Sequence, residues 1–272
     1  MLKNKEHFEQ LEKNGKESAD KVPTKEDKMP QRTKCQQMMA IHAGNEPEKW
    51  DMNQIVPPIS LSTTYKQHFA GKPKGYDYTR DGNPTRDVLQ QSIAALENAR
   101  HCRVFSSGLS GHSSNGKLAS FWRSYYFSVQ HHGMELSFVD LTELANLEKE
   151  FKPNTTMVWF ETPSNPLLKV IDIEAVCRAV RSRSKECIIV VDNTYINGHT
   201  DVLMGAMVTN NDQLDQHLKS QQISISKNFK LLVPSRHRLT SFLVIRGIKT
   251  LHLRYATAHA HKRKCFGSCA MA

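Results

Sequence analysis

Two short apolar runs, Met157–Phe160 and Ile188–Val191, stop abruptly at carboxylates, Glu161 and Asp192. Runs of this length, rich in β-branched and aromatic residues, predict strands. Between them Ile173, Val176, Cys177 and Val180 recur at three- and four-residue spacing, while Arg178, Arg181 and Arg183 tend toward the other face. That spacing predicts an amphipathic helix. Strand, helix and strand within about thirty-five residues make a βαβ unit, whose strands lie parallel and adjacent. Upstream, Glu135–Val139 predicts another strand and Thr142–Phe151 a helix capped by Thr142. The alternation βαβαβ from 135 to 191 predicts an α/β fold with a largely parallel sheet.

The N-terminal half is patterned differently. Residues 1–38 are rich in Lys, Glu, Gln and Asn with few apolar anchors, and are expected to be disordered. Residues 39–75 form the next unit, an extended arm in which Val56–Tyr65 opens on two prolines and continues as a β-branched run. A third unit, 76–254, begins with a turn at Asp81 and Gly82. Asn83 is the expected N-cap and Pro84 the first residue of a helix whose apolar face is Val88, Leu89, Ile93 and Leu96. Arg103–Ser106 predicts a short strand running into the glycine-rich SGLSG stretch (107–111). Residues 255–272 are a basic tail.

Composition narrows the class. The 272 residues carry a formal net charge of +10, but the basic residues are dispersed among acids apart from Lys262–Lys264. A solvated surface is therefore favoured over a nucleic-acid partner. No apolar run approaches the roughly eighteen residues that would span a membrane. Glu6, Glu9 and Glu12 argue against a mitochondrial presequence, so the cytoplasm is the expected compartment. The six cysteines suggest no disulfide framework. His259, His261, Cys265 and Cys269 match no common zinc spacing and flank three cations, so no metal site is expected.

The candidate chemistry lies where ligands bind such sheets, beyond the carboxyl ends of the strands. Asp192 could simply cap a turn, or it could pair with a protonated heterocyclic nitrogen. Gly108 and Leu109 come after a strand, in a loop whose free backbone N–H groups suit an anion. Alone, Tyr78 and Arg80 read as an ordinary aromatic and a surface cation, and Asn165 as turn chemistry between Pro163 and Pro166.

Six stretches in fixed order change that reading: AIHAG (40–44), VPPISLSTTY (56–65), YTRDGNPTR (78–86), ETPSNP (161–166), VVDNTY (190–195) running into NGHTDV (197–202), and RGIKTL (246–251). Together they resemble the Cys/Met-metabolism family of pyridoxal phosphate (PLP) enzymes, and within it the cystathionine γ-lyase group. The resemblance runs from about Ala40 to Arg254 and implies the large domain of a fold type I, PLP-dependent transferase-like fold, here incomplete. It implies PLP as cofactor, an amino-acid substrate and a homotetramer. It assigns Tyr78 and Arg80 to the phosphate of an adjacent subunit's cofactor, and the Gly108 and Leu109 backbone to the phosphate. Asn165 falls at the cofactor and substrate side, Asp192 at the ring nitrogen, and Arg123 near a substrate-contacting arginine.

Two departures accompany the likeness. HSSNGK (112–117) replaces a helix-forming segment, and the family's ring-stacking tyrosine has no aligned counterpart there. More consequentially, the family carries a helix, a strand and a lysine that holds PLP covalently between VVDNT and NGHSD. Here Tyr195 runs straight into Ile196. SISK (224–227) imitates the lysine motif but lies after NGHTDV instead of before it. The resemblance thus implies a carbon–sulfur lyase by lineage, inactive in this form, or a non-catalytic remnant that at most joins full-length subunits.

Overall fold

The computed structural model describes residues 31–108, 135–164, 167–193, 201–228, 233–254 and 256–257. The chain divides into two compact units, Met1–Met38 and Met39–Ala272. Helix α1, Gln31–His42, begins inside the stretch expected to be disordered. No Gly or Pro interrupts the sequence between Pro30 and Gly44, and that uninterrupted run is what the polar composition concealed. At Gly44 the backbone turns with φ 75°, and a Cβ there would stand 2.7 Å from the Val88 carbonyl oxygen, so only glycine lets the chain pass so close. Ser92 donates to the Ala43 carbonyl at 2.6 Å beside it.

The arm then runs largely extended to a small hairpin, β1 Gln67–Phe69 with β2 Lys72–Pro73. Helix α2, Pro84–Leu96, starts as expected: the Asn83 side chain accepts from the Thr85 and Arg86 amides, and Pro84 takes the first position. Strand β3, His101–Phe105, pairs antiparallel with β6, Gly205–Thr209, so that Phe105 faces Gly205. After β6 come two long helices, α5 Asp212–Asn228 and α6 Val233–Ile248. Val88, Leu89 and Ala94 of α2, Cys102 and Val104 of β3, Ile245 and Ile248 of α6, and Ala40 form one buried cluster. The Cys102 thiol is buried enough for its pKa to be pushed up to about 12, as expected of a packing thiol and not a reactive one.

The expected βαβ unit is present. Strand β4, Met157–Glu161, and β5, Ile188–Asp192, are parallel and in register from Met157 opposite Ile188 to Glu161 opposite Asp192. Between them α4, Ile173–Arg183, is capped by Asp172 through the Ala175 amide at 2.9 Å. Val176 and Val180 are fully buried, in a second cluster with Leu141, Leu147, Val158, Phe160 and Cys187.

Two expectations need correction. Residues 135–139 lie outside every strand: Phe138 is more than half exposed, and the run pairs with no described strand. The helix expected over Thr142–Phe151 is the shorter α3, Leu144–Glu150. Thr142 does not cap it, because its hydroxyl donates instead to Asp140 Oδ1 at 2.7 Å, and the Thr142 amide bonds the same oxygen. That turn, with Lys169 on the other Asp140 oxygen, holds the Asp140 carboxyl at about 2. Among the described residues the expected parallel pairing is that of β4 with β5, while β1–β2 and β3–β6 are antiparallel pairs.

The outer face of β3 is tied to α5 by charge. Arg103 makes a fork to both Asp215 oxygens, at 2.7 and 2.6 Å, and His101 lies 2.7 Å from Asp212 and 3.6 Å from Asp215. The Arg103 hydrogen bond chiefly holds the Asp215 carboxyl below its ordinary value. A carboxyl depressed in the folded state stabilises fully above its unfolded pKa of about 3.9, and that stability is lost as pH falls through the folded value. Asp215→Asn should therefore lower stability at pH 7 by about 1.5–3 kcal/mol and flatten the acid limb of the stability curve. Urea denaturation between pH 7 and pH 3 reads both; an unchanged acid limb would refute the role given to Asp215.

Candidate functional site

Tyr78 and Arg80 sit on a turn braced from three directions. Thr64 and Tyr78 form an antiparallel bridge, with the Tyr65 amide bonded to the Asp77 carbonyl and the Thr79 amide to the Thr63 carbonyl, each at 2.9 Å. The Asp81 and Gly82 amides both return to the Tyr78 carbonyl. Beneath the turn, the buried Arg86 guanidinium donates to the Arg80 carbonyl at 3.2 Å. Gly82 is required for space, since a Cβ there would come 2.7 Å from the Tyr76 ring. That ring is in turn fixed by its hydroxyl on Asp87 Oδ2 at 2.9 Å. Burial raises the Asp87 carboxyl, with the Tyr76 hydrogen bond opposing it; burial and then the Asp87 charge raise the Tyr76 phenol. Burial also lowers the Arg86 guanidinium.

On this base the Arg80 guanidinium lies over the Tyr78 ring, 4.7 Å from its centroid. Stacking of this kind orients the guanidinium fork without consuming its N–H donors, leaving them for an anion. The two residues that looked ordinary in sequence are thus brought together as one unit.

Asn83 joins this turn to the arm. Besides capping α2, its amide donates to the Ser60 carbonyl and the Tyr65 hydroxyl, each at 3.2 Å. Thr85 accepts from the Ser60 amide at 2.9 Å and donates to the Pro58 carbonyl at 3.0 Å. Asn83 and Thr85 are almost wholly buried, and these four bonds anchor the 58–65 stretch to the start of α2. Arg238 of α6 adds a hydrogen bond to the Leu61 carbonyl.

Gly108 lies just past the carboxyl end of β3, and among the described residues a Cβ on it would meet nothing within 4 Å. One side of the loop is closed by Gly205, a residue not expected from the sequence pattern. The available signal was a glycine between apolar residues in a strand pattern (Leu203, Met204, Ala206, Met207), which marks a close backbone approach. Asp192 ends β5 beside Glu161, partly buried, and its carbonyl accepts the Thr162 amide at 3.0 Å. Beyond β4 the loop is tied back on itself, the Ile171 amide donating to the Thr162 hydroxyl at 3.0 Å and the Ser164 amide to the Lys169 carbonyl at 2.9 Å.

Gly108 belongs to the β3–β6 pair and Asp192 to the β4–β5 pair, and no ladder joins the two pairs among the described residues. Leu109, Arg123 and Asn165 lie outside the described residues, as do His259, His261, Cys265 and Cys269. Lys227 falls in the last turn of α5. No cluster of three or more His, Cys, Asp or Glu side chains capable of holding a metal occurs among the described residues. None of their helices is long and apolar enough to cross a membrane.

The model of the family of Cys/Met metabolism PLP-dependent enzymes matches this chain in two pieces, residues 37–196 and 194–265. A putative cystathionine gamma-lyase 2 of Caenorhabditis elegans is 49% identical over 253 residues, covering 79% of this chain and 63% of that protein. Human cystathionine gamma-lyase is 37% identical over 252 residues, covering 79% of this chain and 60% of the relative. The chain therefore spans less than two thirds of the length of these relatives. Among solved structures, metB of Corynebacterium glutamicum superposes with a TM-score of 0.71 at 31% identity, over 83% of this chain and 66% of that one. Yeast cystathionine gamma-lyase gives 0.67 at 34% identity, over 83% and 65%.

The bracing of the Tyr78–Arg80 turn rests on both halves of the Asn83 amide. Asn83→Ala, which loses the cap and the bonds to the arm, should cost about 1–2 kcal/mol. Asn83→Asp keeps an acceptor for the Thr85 and Arg86 amides but loses both donated bonds, and should fall between the two. Urea denaturation of the three proteins checks this; an aspartate variant as stable as the native chain would show that the arm bonds contribute nothing.

Proposed function

The chain belongs to the Cys/Met metabolism PLP-dependent enzyme family, and from that premise we propose that it is a cystathionine γ-lyase relative that keeps part of the cofactor's cradle without the residue that makes the cofactor catalytic. The family's fold, fold type I, is the one shared with its solved neighbours, and the family's cofactor is PLP.

The donor set fits the cofactor's two charged ends. Arg80, stacked and with no side-chain hydrogen bond among the described residues, and the Tyr78 hydroxyl suit the phosphate oxygens of an adjacent subunit's cofactor, while the backbone of the loop at Gly108 suits those of the chain's own. Asp192, at the end of a parallel strand, is a carboxylate for a protonated ring nitrogen. When bound, PLP supplies an electron sink for bonds at the amino acid's α and β carbons. In the lineage the overall reaction takes cystathionine and water to cysteine, 2-oxobutyrate and ammonia with loss of the Cγ–S bond, a step of cysteine biosynthesis by transsulfuration in the cytoplasm. Proton movement at the substrate requires a lysine on the cofactor, and holding groups cannot replace it.

The observation that carries the reading is the junction at Tyr195 and Ile196. The family match falls into two pieces that meet there. The comparison with the Caenorhabditis elegans relative runs over 253 residues but takes in only 79% of this chain's 272, so the relative carries sequence within the compared stretch that this chain lacks. A role as a non-catalytic subunit is supported by a separate observation. Ile41, Met52, Ile55, Val56, Leu61 and Phe69 of the arm are exposed apolar side chains, Met52 at 80%. Such a run favours burial against another subunit of the family type.

Purified chain titrated with PLP, reduced with borohydride and mapped by mass spectrometry tests the reading. Saturable PLP binding without a stoichiometric pyridoxyl-lysine, and no 2-oxobutyrate from cystathionine, are expected. Turnover together with a single modified lysine, at Lys227 or elsewhere, would overturn it.

A further inference from the structure

Gly205 is the first residue of β6 and faces Phe105, the last residue of β3. Just beyond Phe105 the chain turns over it. A Cβ at 205 would stand 2.4 Å from the Ser107 carbonyl oxygen, 2.6 Å from the Ser107 carbonyl carbon and 2.6 Å from the Gly108 Cα. All three are backbone atoms, so no side-chain rotation can relieve the overlap. The Gly205 φ lies outside the left-handed region, so what the position demands is space and not an unusual conformation. Gly205 is buried, whereas a Cβ on Gly108 would meet nothing within 4 Å among the described residues. The loop therefore rests on Gly205 with one side.

We infer that Gly205 is a positioning residue for the phosphate of PLP: it sets the depth of the Ser107–Gly108 backbone, and so the place where that backbone can meet the phosphate. The inference rests on the proposal that this chain binds PLP. A methyl group at 205 must push the loop outward by at least several tenths of an ångström to reach an ordinary contact. Hydrogen bonds to an anion weaken steeply over such displacements, whereas the groups that would hold the ring, such as Asp192, do not belong to this loop.

The test compares PLP with pyridoxal, which lacks the phosphate, on the native chain, on Gly205→Ala and on Gly75→Ala, whose added methyl meets nothing within 4 Å. Affinities come from ultrafiltration, and folding is checked by circular dichroism. In Gly205→Ala the PLP affinity should fall at least about tenfold while that for pyridoxal holds, and Gly75→Ala should match the native chain. An unchanged ratio of the two affinities in a folded Gly205→Ala overturns the inference and leaves the PLP reading standing. A native chain that binds neither compound overturns the PLP reading itself. Hydrogen exchange on the native chain decides the matter even if the variant does not fold: PLP, and not pyridoxal, should protect the amides of 107–108. PLP binding without that protection overturns the inference.

Discussion

The ladder between β3 and β6 is the constraint on which the rest depends. It brings together stretches a hundred residues apart in sequence, Phe105 opposite Gly205. Closing a loop of that length costs about 4 kcal/mol of chain entropy before any contact is made. The return comes from the helix directly after β6. Helix α5 lays Asp215 under the Arg103 fork and Gln222 against the Val104 carbonyl at 2.6 Å, so one connection supplies both a partner strand and a cover for β3. Val104 itself is 1% exposed and its amide is shared with Gln90 of α2. The buried amides of Gln90 and Gln222, 3.2 Å apart, thus sit where two helices and a strand meet. Each must find its partner, and so they fix the register of all three elements more sharply than apolar side chains would.

That clamp also explains why the two halves of the candidate cradle differ in how firmly they are built. The turn carrying Tyr78 and Arg80 and the loop at Gly108 both hang on elements of the first buried cluster, α2 and β3. Asp192 hangs on the second, with its own helix, its own strand pair and its own core. A sheet that runs through both would carry the two ends of one ligand on a common rigid layer. Here the rigid layer is two separate ladders among the described residues, and in the proposed reading each end of the ligand has its own foundation.

How much of this was legible depended on whether the signal was local. The parallel β4–β5 pair and α4 were readable because two apolar runs and a helical stripe sit within a single short stretch. The Asn83 cap was readable because capping chemistry acts over three residues. Glu135–Val139 misled because β character expresses a fit to neighbouring strands, which a one-dimensional pattern cannot supply. Thr142 misled because an aspartate two residues earlier competes for its hydroxyl. The stacking of Arg80 on Tyr78 and the approach of Ser107 to Gly205 were invisible for a third reason: each depends on where the backbone passes in space, and the Gly205 contact joins residues almost a hundred apart in sequence.

The same distinction bears on what a shortened relative can retain. In the proposed reading, gripping a phosphate calls on backbone amides from one chain and a guanidinium from its neighbour, and each is braced by α2, β3 and β6 through contacts the chain makes with itself. Using the cofactor calls on one amine delivered to one carbon, and in the family that amine rides on a segment between the end of β5 and the start of NGHTDV. Nothing in the bracing of Tyr78, Arg80 or Gly108 passes through that segment: their contacts run to the arm, to α2 and to β6. Holding and reacting are therefore separable by a single excision, and in the proposed reading this chain stands on the holding side of that division.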